Sequence, residues 1–314
     1  MKKLKVLFFG TDDISLSALE ALSHLDYEIV AVVTRADSLS NRKKEIIFSP
    51  VKQFAIEKGY KIFQPIKLKD EAEEILKTNP DLILTCSYGK IIPELILNYP
   101  QYKCINIHPS LLPKYRGASP IQAAIMNNDS VTGISFIYMT KDLDNGPILC
   151  QETINCDKGE TTFSLKEKIK KLIALMMQKY FTSFFSKKVK YQIQDESKVS
   201  YVGMINHKDE QINWNKDAKT ISGLVRALYD KPIAYTMLNN NIVKVYEVQI
   251  TSEKSNAESG TIIAVDKTGI SVATTDYIIK LIIVQLAGKK PMRVKDLING
   301  NHIFKINSRF SSNN

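Results

Sequence analysis

Cys104-Ile105-Asn106-Ile107-His108-Pro109-Ser110-Leu111-Leu112-Pro113, continued by Lys114-Tyr115-Arg116-Gly117-Ala118-Ser119-Pro120, is the stretch from which the rest of the chain is read. Residues 104–108 read as a short buried strand. Side chains two apart on a strand share a face, so Asn106 and His108 point the same way. Pro109, Pro113, Gly117 and Pro120 then break the chain into a loop. An amide donor beside an imidazole at a strand's mouth suits chemistry on a carbonyl group. The amide can hold a developing oxyanion, and the imidazole can give or take a proton near neutral pH. An isolated His and Asn could equally be satisfied structural hydrogen bonders.

Upstream of this stretch, strands alternate with helices. Leu4–Phe9 ends at Gly10, and Ile14, Leu16, Ala18, Leu19 and Leu22 follow with a helical apolar pattern. Tyr27–Thr34 and Tyr60–Phe63 read as strands around a helix at Val51–Lys58; a charged helix at Asp70–Lys77 precedes a strand at Asp81–Cys86. Such alternation predicts an α/β fold, a doubly wound, mostly parallel sheet with a Rossmann-like order. Ligands of such sheets sit beyond the carboxyl ends of the strands, where strand order reverses, and residues 106–108 would lie at such an end. Gly10 is the one glycine before Gly59, so the G-x-G-x-x-G signature of a dinucleotide-binding dehydrogenase is absent.

Downstream, the period changes. Val131–Thr140 alternates Ile134, Phe136 and Tyr138 on one face, as an antiparallel strand does, and Pro147–Thr153 can pair with it. Asp144 lies in the loop between them. A carboxylate there can orient an imidazole and take up positive charge. Asp144-Asn145-Gly146 also reads as an ordinary hairpin turn, and spacing alone leaves both readings open. Thr161–Phe185 reads as one long helix, after which residues 189–206 are polar, weakly periodic and linker-like. Ala218, Ile221, Leu224, Val225 and Leu228 mark a further helix. Short strands near 234–238, 242–249, 261–265, 270–273 and 277–285 suggest a small β-barrel of the oligonucleotide-binding kind. The expected organisation is a catalytic domain over 1–188, a linker over 189–206 and a β-barrel domain over 207–314.

Composition bounds the partners. The chain has 314 residues and a net charge of +10. Residues 1–206 carry 28 Lys and Arg against 23 acids; residues 207–314 carry 15 against 10, about twice the positive charge per residue. Lys289, Lys290, Arg293 and Lys295 cluster there, as a phosphate-bearing partner requires, although a solvated basic face is nearly as good a reading. The four cysteines lack a metal-ligand spacing. No apolar run approaches the roughly 20 residues that span a bilayer, and the amino terminus lacks a secretory h-region. A cytoplasmic enzyme without a membrane segment is expected.

With these residues in hand, the chain resembles the methionyl-tRNA formyltransferase family, a branch of the folate-dependent formyltransferases, along nearly its whole length. Residues 106–117 look like that group's signature, Leu143-Asp144-Asn145-Gly146 like its second catalytic segment, and Cys86-Ser87-Tyr88-Gly89-Lys90-Ile91-Ile92-Pro93 like its folate-lining strand and loop. Arg42-Lys43-Lys44 resembles an inserted basic loop that grips the tRNA acceptor end. Residues 285–300 resemble the family's tRNA-contacting β-barrel. Asp12-Asp13 departs from the usual Pro-acid pair, and the basic loop lacks its usual flanking glycines.

The resemblance implies formyl transfer from 10-formyltetrahydrofolate to the α-amine of methionyl initiator tRNA, without a metal, by a monomeric cytoplasmic enzyme. Asn106, His108 and Asp144 would be catalytic, and Ser110, Leu111, Leu112 and Pro113 would shape the folate pocket. Arg42, Lys44, Lys289, Lys290 and Arg293 would contact tRNA. The alternative is a formyltransferase acting on a nucleotide-linked amino sugar. Hydrolysis of formyl-folate and RNA binding without catalysis are further readings.

Overall fold

The apolar runs become strands of two separate sheets in the computed structural model, which describes residues 3–39, 46–185, 189–229, 231–300 and 302–311. The chain divides into two units. One comprises Met1–Pro120, Val131–Asn155 and Lys166–Val202; the other comprises Ile121–Ser130, Cys156–Leu165 and Gly203–Asn314.

The first unit holds strands β1 (Lys5–Gly10), β2 (Glu28–Val33), β3 (Ser38–Leu39), β4 (Ile46–Ile47), β5 (Ile62–Phe63), β6 (Leu82–Cys86), β7 (Cys104–His108), β8 (Arg116–Gly117), β9 (Val131–Tyr138), β10 (Ile148–Asn155) and β11 (Tyr201–Val202). Its main sheet runs β10-β9-β7-β6-β1-β2-β5. The five strands from β5 to β7 are parallel, and β9 and β10 add an antiparallel edge. Every residue of β6, and five of six in β1, is buried. Helices cover both faces of parallel sheets, so such strands carry unbroken apolar runs rather than alternation.

From β1 the chain winds outward to β2 and β5, then returns to β6 and β7 on the other side. Strand order therefore reverses between β1 and β6. Their ends, Gly10 and Cys86, are register partners, and Cys86 pairs in turn with Ile107, one residue before His108. The predicted site residues thus lie along the carboxyl edge beside the reversal, where an open α/β sheet leaves a crevice.

Helices α1 (Asp13–Ser23), α2 (Pro50–Glu57), α3 (Ala72–Leu76), α4 (Glu94–Leu97), α5 (Pro120–Met126) and α6 (Thr162–Tyr180) connect these strands. Asp12 caps α1 by accepting the Ser15 N–H at 2.9 Å, satisfying one of the helix's orphan donors. The single helix predicted over 161–185 is shorter than expected: α6 ends at Tyr180 and Phe181–Phe185 winds as a 3₁₀ turn. The tighter turn seats Phe181 and Phe184 in the core and stacks Phe185 on Tyr27, with centroids 4.8 Å apart. Aromatic packing there outweighs helix continuation.

Residues of the predicted linker are hydrogen-bonded into the first unit. Gln192 exchanges both backbone bonds with Ile148, and β11 pairs in parallel with β8. No helix among the described residues is long and apolar enough to cross a membrane.

The second unit contains α7 (Ala218–Ala227), β12 (Tyr235–Leu238), β13 (Asn241–Ile250), β14 (Ile262–Asp266), β15 (Gly269–Val272), β16 (Ile279–Leu286), β17 (Met292–Arg293) and α8 (Val294–Leu297). Its antiparallel sheet runs β12-β13-β16-β15-β14, with β17 on β16. Ser311 bridges Met237 on one edge strand, and Arg309 bridges Thr261 beside the other. The last described residues thus link both edges of a curled half-barrel. Inside, Trp214 donates its indole N–H to Thr236 Oγ1 at 2.9 Å and stacks on Phe310 at 5.4 Å. Phe310→Ala should cost about 3–5 kcal/mol through lost packing and edge linkage. Trp214 is the only tryptophan, so its fluorescence should report a lower urea midpoint; an unchanged midpoint would show that Phe310 does not hold this core.

Candidate active site

Strand alternation carries Asn106 and His108 to one face of β7, as expected, and the turn after β9 brings Asp144 to them. Thr85, the register partner of Asn106 on β6, donates its hydroxyl to Asn106 Oδ1 at 2.8 Å. That bond orients the amide, so Nδ2 points at Asp144 Oδ1, 3.3 Å away. His108 is 4% exposed. Its Nε2 lies 2.9 Å from the Tyr115 carbonyl oxygen, which can only accept, so Nε2 carries a proton. The other ring nitrogen, Nδ1, faces Asp144 Oδ2 at 3.6 Å. Three groups from one strand and one distant turn therefore converge on one point.

Asp144 itself is unusual. Its φ is 48°, in the left-handed region, which costs a non-glycine residue about 1–2 kcal/mol. The conformation turns the carboxylate inward: Oδ2 accepts the Gly117 N–H at 2.9 Å while Oδ1 faces Asn106. Two glycines make this geometry possible. A Cβ on Gly146 would sit 1.7 Å from the Tyr138 carbonyl oxygen, and one on Gly117, whose φ is 118°, would sit 2.2 Å from that of Val202. Only glycine permits either approach.

Ser110–Pro113 form a turn that is largely bonded to the protein itself. Ser110 Oγ donates to the Lys114 carbonyl at 2.7 Å, and Ser135 Oγ donates to the Ser110 carbonyl at 2.6 Å. The Leu112 N–H donates to Ser135 Oγ, and Gln151 Nε2 donates to the Leu112 carbonyl. The Leu112 side chain packs with Ile137 and Ile148, while Leu111 lies over Gly133. Pro113 accepts the Ser200 N–H.

In the second unit, Lys289 and Lys290 are exposed on the turn between β16 and β17, and Arg293 is exposed on β17. Arg42 and Lys44 lie outside the described residues.

The partners that Arg116 finds, Gln194 and Glu196, carried no sequence signal. Arg116 is 1% exposed, its guanidinium bonded to Gln194 Oε1 and to the Glu196 carboxylate. Gln194 donates to the main-chain oxygens of Asp144 and Gly146. These partners are 78 and 80 residues from Arg116, a separation that no local pattern reveals.

Near the strand-order reversal, burial pushes the Cys86 thiol well up, and the Asp12 carboxylate adds to it. The Tyr88 phenol is pushed up to about 12, first by burial and then by Glu71. Both stay protonated at neutral pH and are poor nucleophiles there. Among the described residues no group of three or more His, Cys, Asp or Glu could hold a metal ion. Two open cavities, of 530 and 400 Å³, lie elsewhere and include none of Asn106, His108 and Asp144.

Comparisons with known proteins show the family to which the chain belongs. Residues 2–180 match the formyl transferase family and residues 204–302 match the formyl transferase C-terminal domain. The chain belongs to the formyl transferase family. It is 40% identical over 305 residues to the methionyl-tRNA formyltransferase of Malacoplasma penetrans (strain HF-2), covering 97% of this chain and 96% of that one. Identity to the methionyl-tRNA formyltransferase of Ureaplasma parvum serovar 3 (strain ATCC 700970) is 41% over 303 residues, 96% and 99% of the two chains. Among solved structures, the sugar 3N-formyl transferase WlaRD superposes with a TM-score of 0.64 at 19% identity, over 92% of this chain and 100% of that one. HypX from Aquifex aeolicus, in complex with tetrahydrofolic acid, gives a TM-score of 0.64 at 15% identity, over 95% of this chain and 47% of its own. These structural likenesses show a common fold.

Gly117→Ala should destabilise the β8–β11 ribbon by about 1–3 kcal/mol. The check is hydrogen exchange at the Arg116 and Ala118 amides, which donate to the Ser200 and Val202 carbonyls. Faster exchange is expected, and unchanged exchange would refute the need for glycine at this approach.

Proposed function

We propose that this protein transfers the formyl group of 10-formyltetrahydrofolate to the α-amine of methionyl initiator tRNA, giving N-formylmethionyl-tRNA for translation initiation. The observation that carries the reading is 40% identity to a methionyl-tRNA formyltransferase across both units. The convergence of Asn106, His108 and Asp144 supplies the chemistry. The enzyme works as a cytoplasmic monomer.

The folate supplies an activated formyl carbon; the protein supplies donors, a proton path and alignment. Asn106 Nδ2 holds only a long 3.3 Å contact, so it can turn to the oxyanion that develops as the amine adds. Once protonated opposite Asp144, His108 Nδ1 donates to that oxyanion, while the bond from Nε2 to Tyr115 fixes the ring. Asp144 accepts the proton released by the amine and directs it towards N10 of the folate. The new bond joins the methionyl nitrogen to the formyl carbon; the bond from that carbon to N10 breaks, and N10 gains the proton.

The site's residues fit a formyl carrier. The donor set is an amide, an imidazole and a carboxylate, and the Ser110–Pro113 turn is internally braced as a wall should be. Ile66 and Ile91, exposed at the same carboxyl edge, offer apolar surface to a heterocycle. Arg42 and Lys44 would pair with acceptor-end phosphates, and Lys289, Lys290 and Arg293 with the more distant backbone.

Labelled 10-formyltetrahydrofolate should place its label on methionyl initiator tRNA and leave a nucleotide-linked amino sugar unlabelled; the reverse outcome would establish the sugar reading. His108→Ala and Asn106→Ala should each slow single-turnover transfer about 10²–10³-fold with tRNA affinity intact. Full activity in either variant would remove that residue from the mechanism. Affinity for tRNA should fall as salt rises, with the slope of log affinity against log salt reduced by about one for each of Lys289, Lys290 and Arg293 changed to Ala. A slope indifferent to all three would remove them from the interface.

A further inference from the structure

Residues 189–206 supply none of the proposed chemistry, yet their side chains reach the residues that do. Gln194 is 5% exposed. Its Nε2 donates to the main-chain oxygens of Asp144 at 2.7 Å and Gly146 at 2.8 Å. Its Oε1 accepts from Nε and Nη2 of the buried Arg116 at 3.0 and 2.9 Å. Both ends of the amide are therefore occupied. Six residues on, Ser200 Oγ accepts the Tyr115 N–H at 2.9 Å, and the Ser200 carbonyl accepts the Arg116 N–H at 2.9 Å. Tyr115, with φ 62°, presents the carbonyl that holds His108 Nε2. One short segment thus grips two left-handed non-glycine residues of the site, Asp144 and Tyr115.

We propose that Gln194 is a positioning residue for formyl transfer, tying the Asp144–Gly146 turn to buried Arg116 so that the Asp144 carboxylate stays opposite His108 Nδ1. The proposal rests on the catalytic reading above. A left-handed aspartate relaxes unless something holds its backbone, and its carboxylate then swings away from the ring. The Asp144 carbonyl is held by the Gln194 amide. Few side chains can do this. The group must donate to two carbonyls at one end and accept from a guanidinium at the other, which an amide of glutamine length does. Glutamate would keep the Arg116 bonds and turn a charged oxygen on the two carbonyls. Methionine would keep the volume and remove the bonds to Arg116 Nε and Nη2 and to both carbonyls, leaving Arg116 its Glu196 contacts.

Gln194→Glu and Gln194→Met are the variants, assayed for formylation of methionyl initiator tRNA. The expected result is a fall in kcat of roughly 10- to 100-fold at unchanged KM for both substrates, as slight misplacement of a reacting group produces. The same change made in an Asp144→Asn background should cost almost nothing further, because the two residues act in series. A merely structural role would lower stability, leave kcat per folded molecule intact and add equally in both backgrounds. Full kcat in Gln194→Glu, a rise in KM alone, additive losses, or failure of both variants to fold would each overturn the proposal. Asp144→Asn alone separates the two claims. If it transfers formyl normally, the catalytic reading fails; if it is slow while Gln194→Glu is normal, only the positioning role fails.

Discussion

The carboxylate of Asp144 is kept in one place by a backbone conformation that it would not choose for itself. Three contacts hold it there: Gly117 N–H on one oxygen, the Asn106 amide facing the other, and Gln194 on its main-chain carbonyl; His108 Nδ1 lies opposite at 3.6 Å. The conformational cost, about 1–2 kcal/mol, is comparable to one or two ordinary hydrogen bonds, so the surroundings can sustain it. Remove the glycines on either side and the carboxylate cannot approach. The parallel sheet supplies the rigid edge, and the strand-order reversal beside it opens the crevice where substrates can enter.

This arrangement explains why the site is assembled from segments so far apart. β7 fixes the amide and the imidazole; the β9–β10 turn brings the carboxylate; residues 191–202 close behind both. A part of the chain without a single group in the chemistry thereby controls its geometry. Second-layer contacts of this kind set whether a constellation is merely present or aligned to react.

The sheet was legible because its cause is local. Apolar runs at β1, β2, β6 and β7 and the alternation at β9 follow from burial on two faces or one, and each strand appeared within a residue or two of expectation. The shared face of Asn106 and His108 was legible by the two-residue period, whereas the turn at Asp144 read equally as a hairpin and only the resemblance pointed to its carboxylate. The end of α6 was not, because aromatic contacts between Tyr27 and Phe185 depend on the tertiary fold. Nor was the role of Gln194, since polarity in a weakly periodic stretch looks the same whether its partners are water or a buried arginine. Residues 121–130 and 156–165 group with the second unit, an interleaving that no boundary in composition marks.

The most direct measurement is nitrogen NMR of the protein labelled in its four histidines, with His108 assigned by difference against a variant lacking it. The expected spectrum has the His108 ring protonated at Nε2 near neutral pH, with an Nδ1 resonance that moves when Asp144 is changed to Asn. A ring bare at Nε2, or an Nδ1 indifferent to Asp144, would contradict the arrangement on which the chemistry depends.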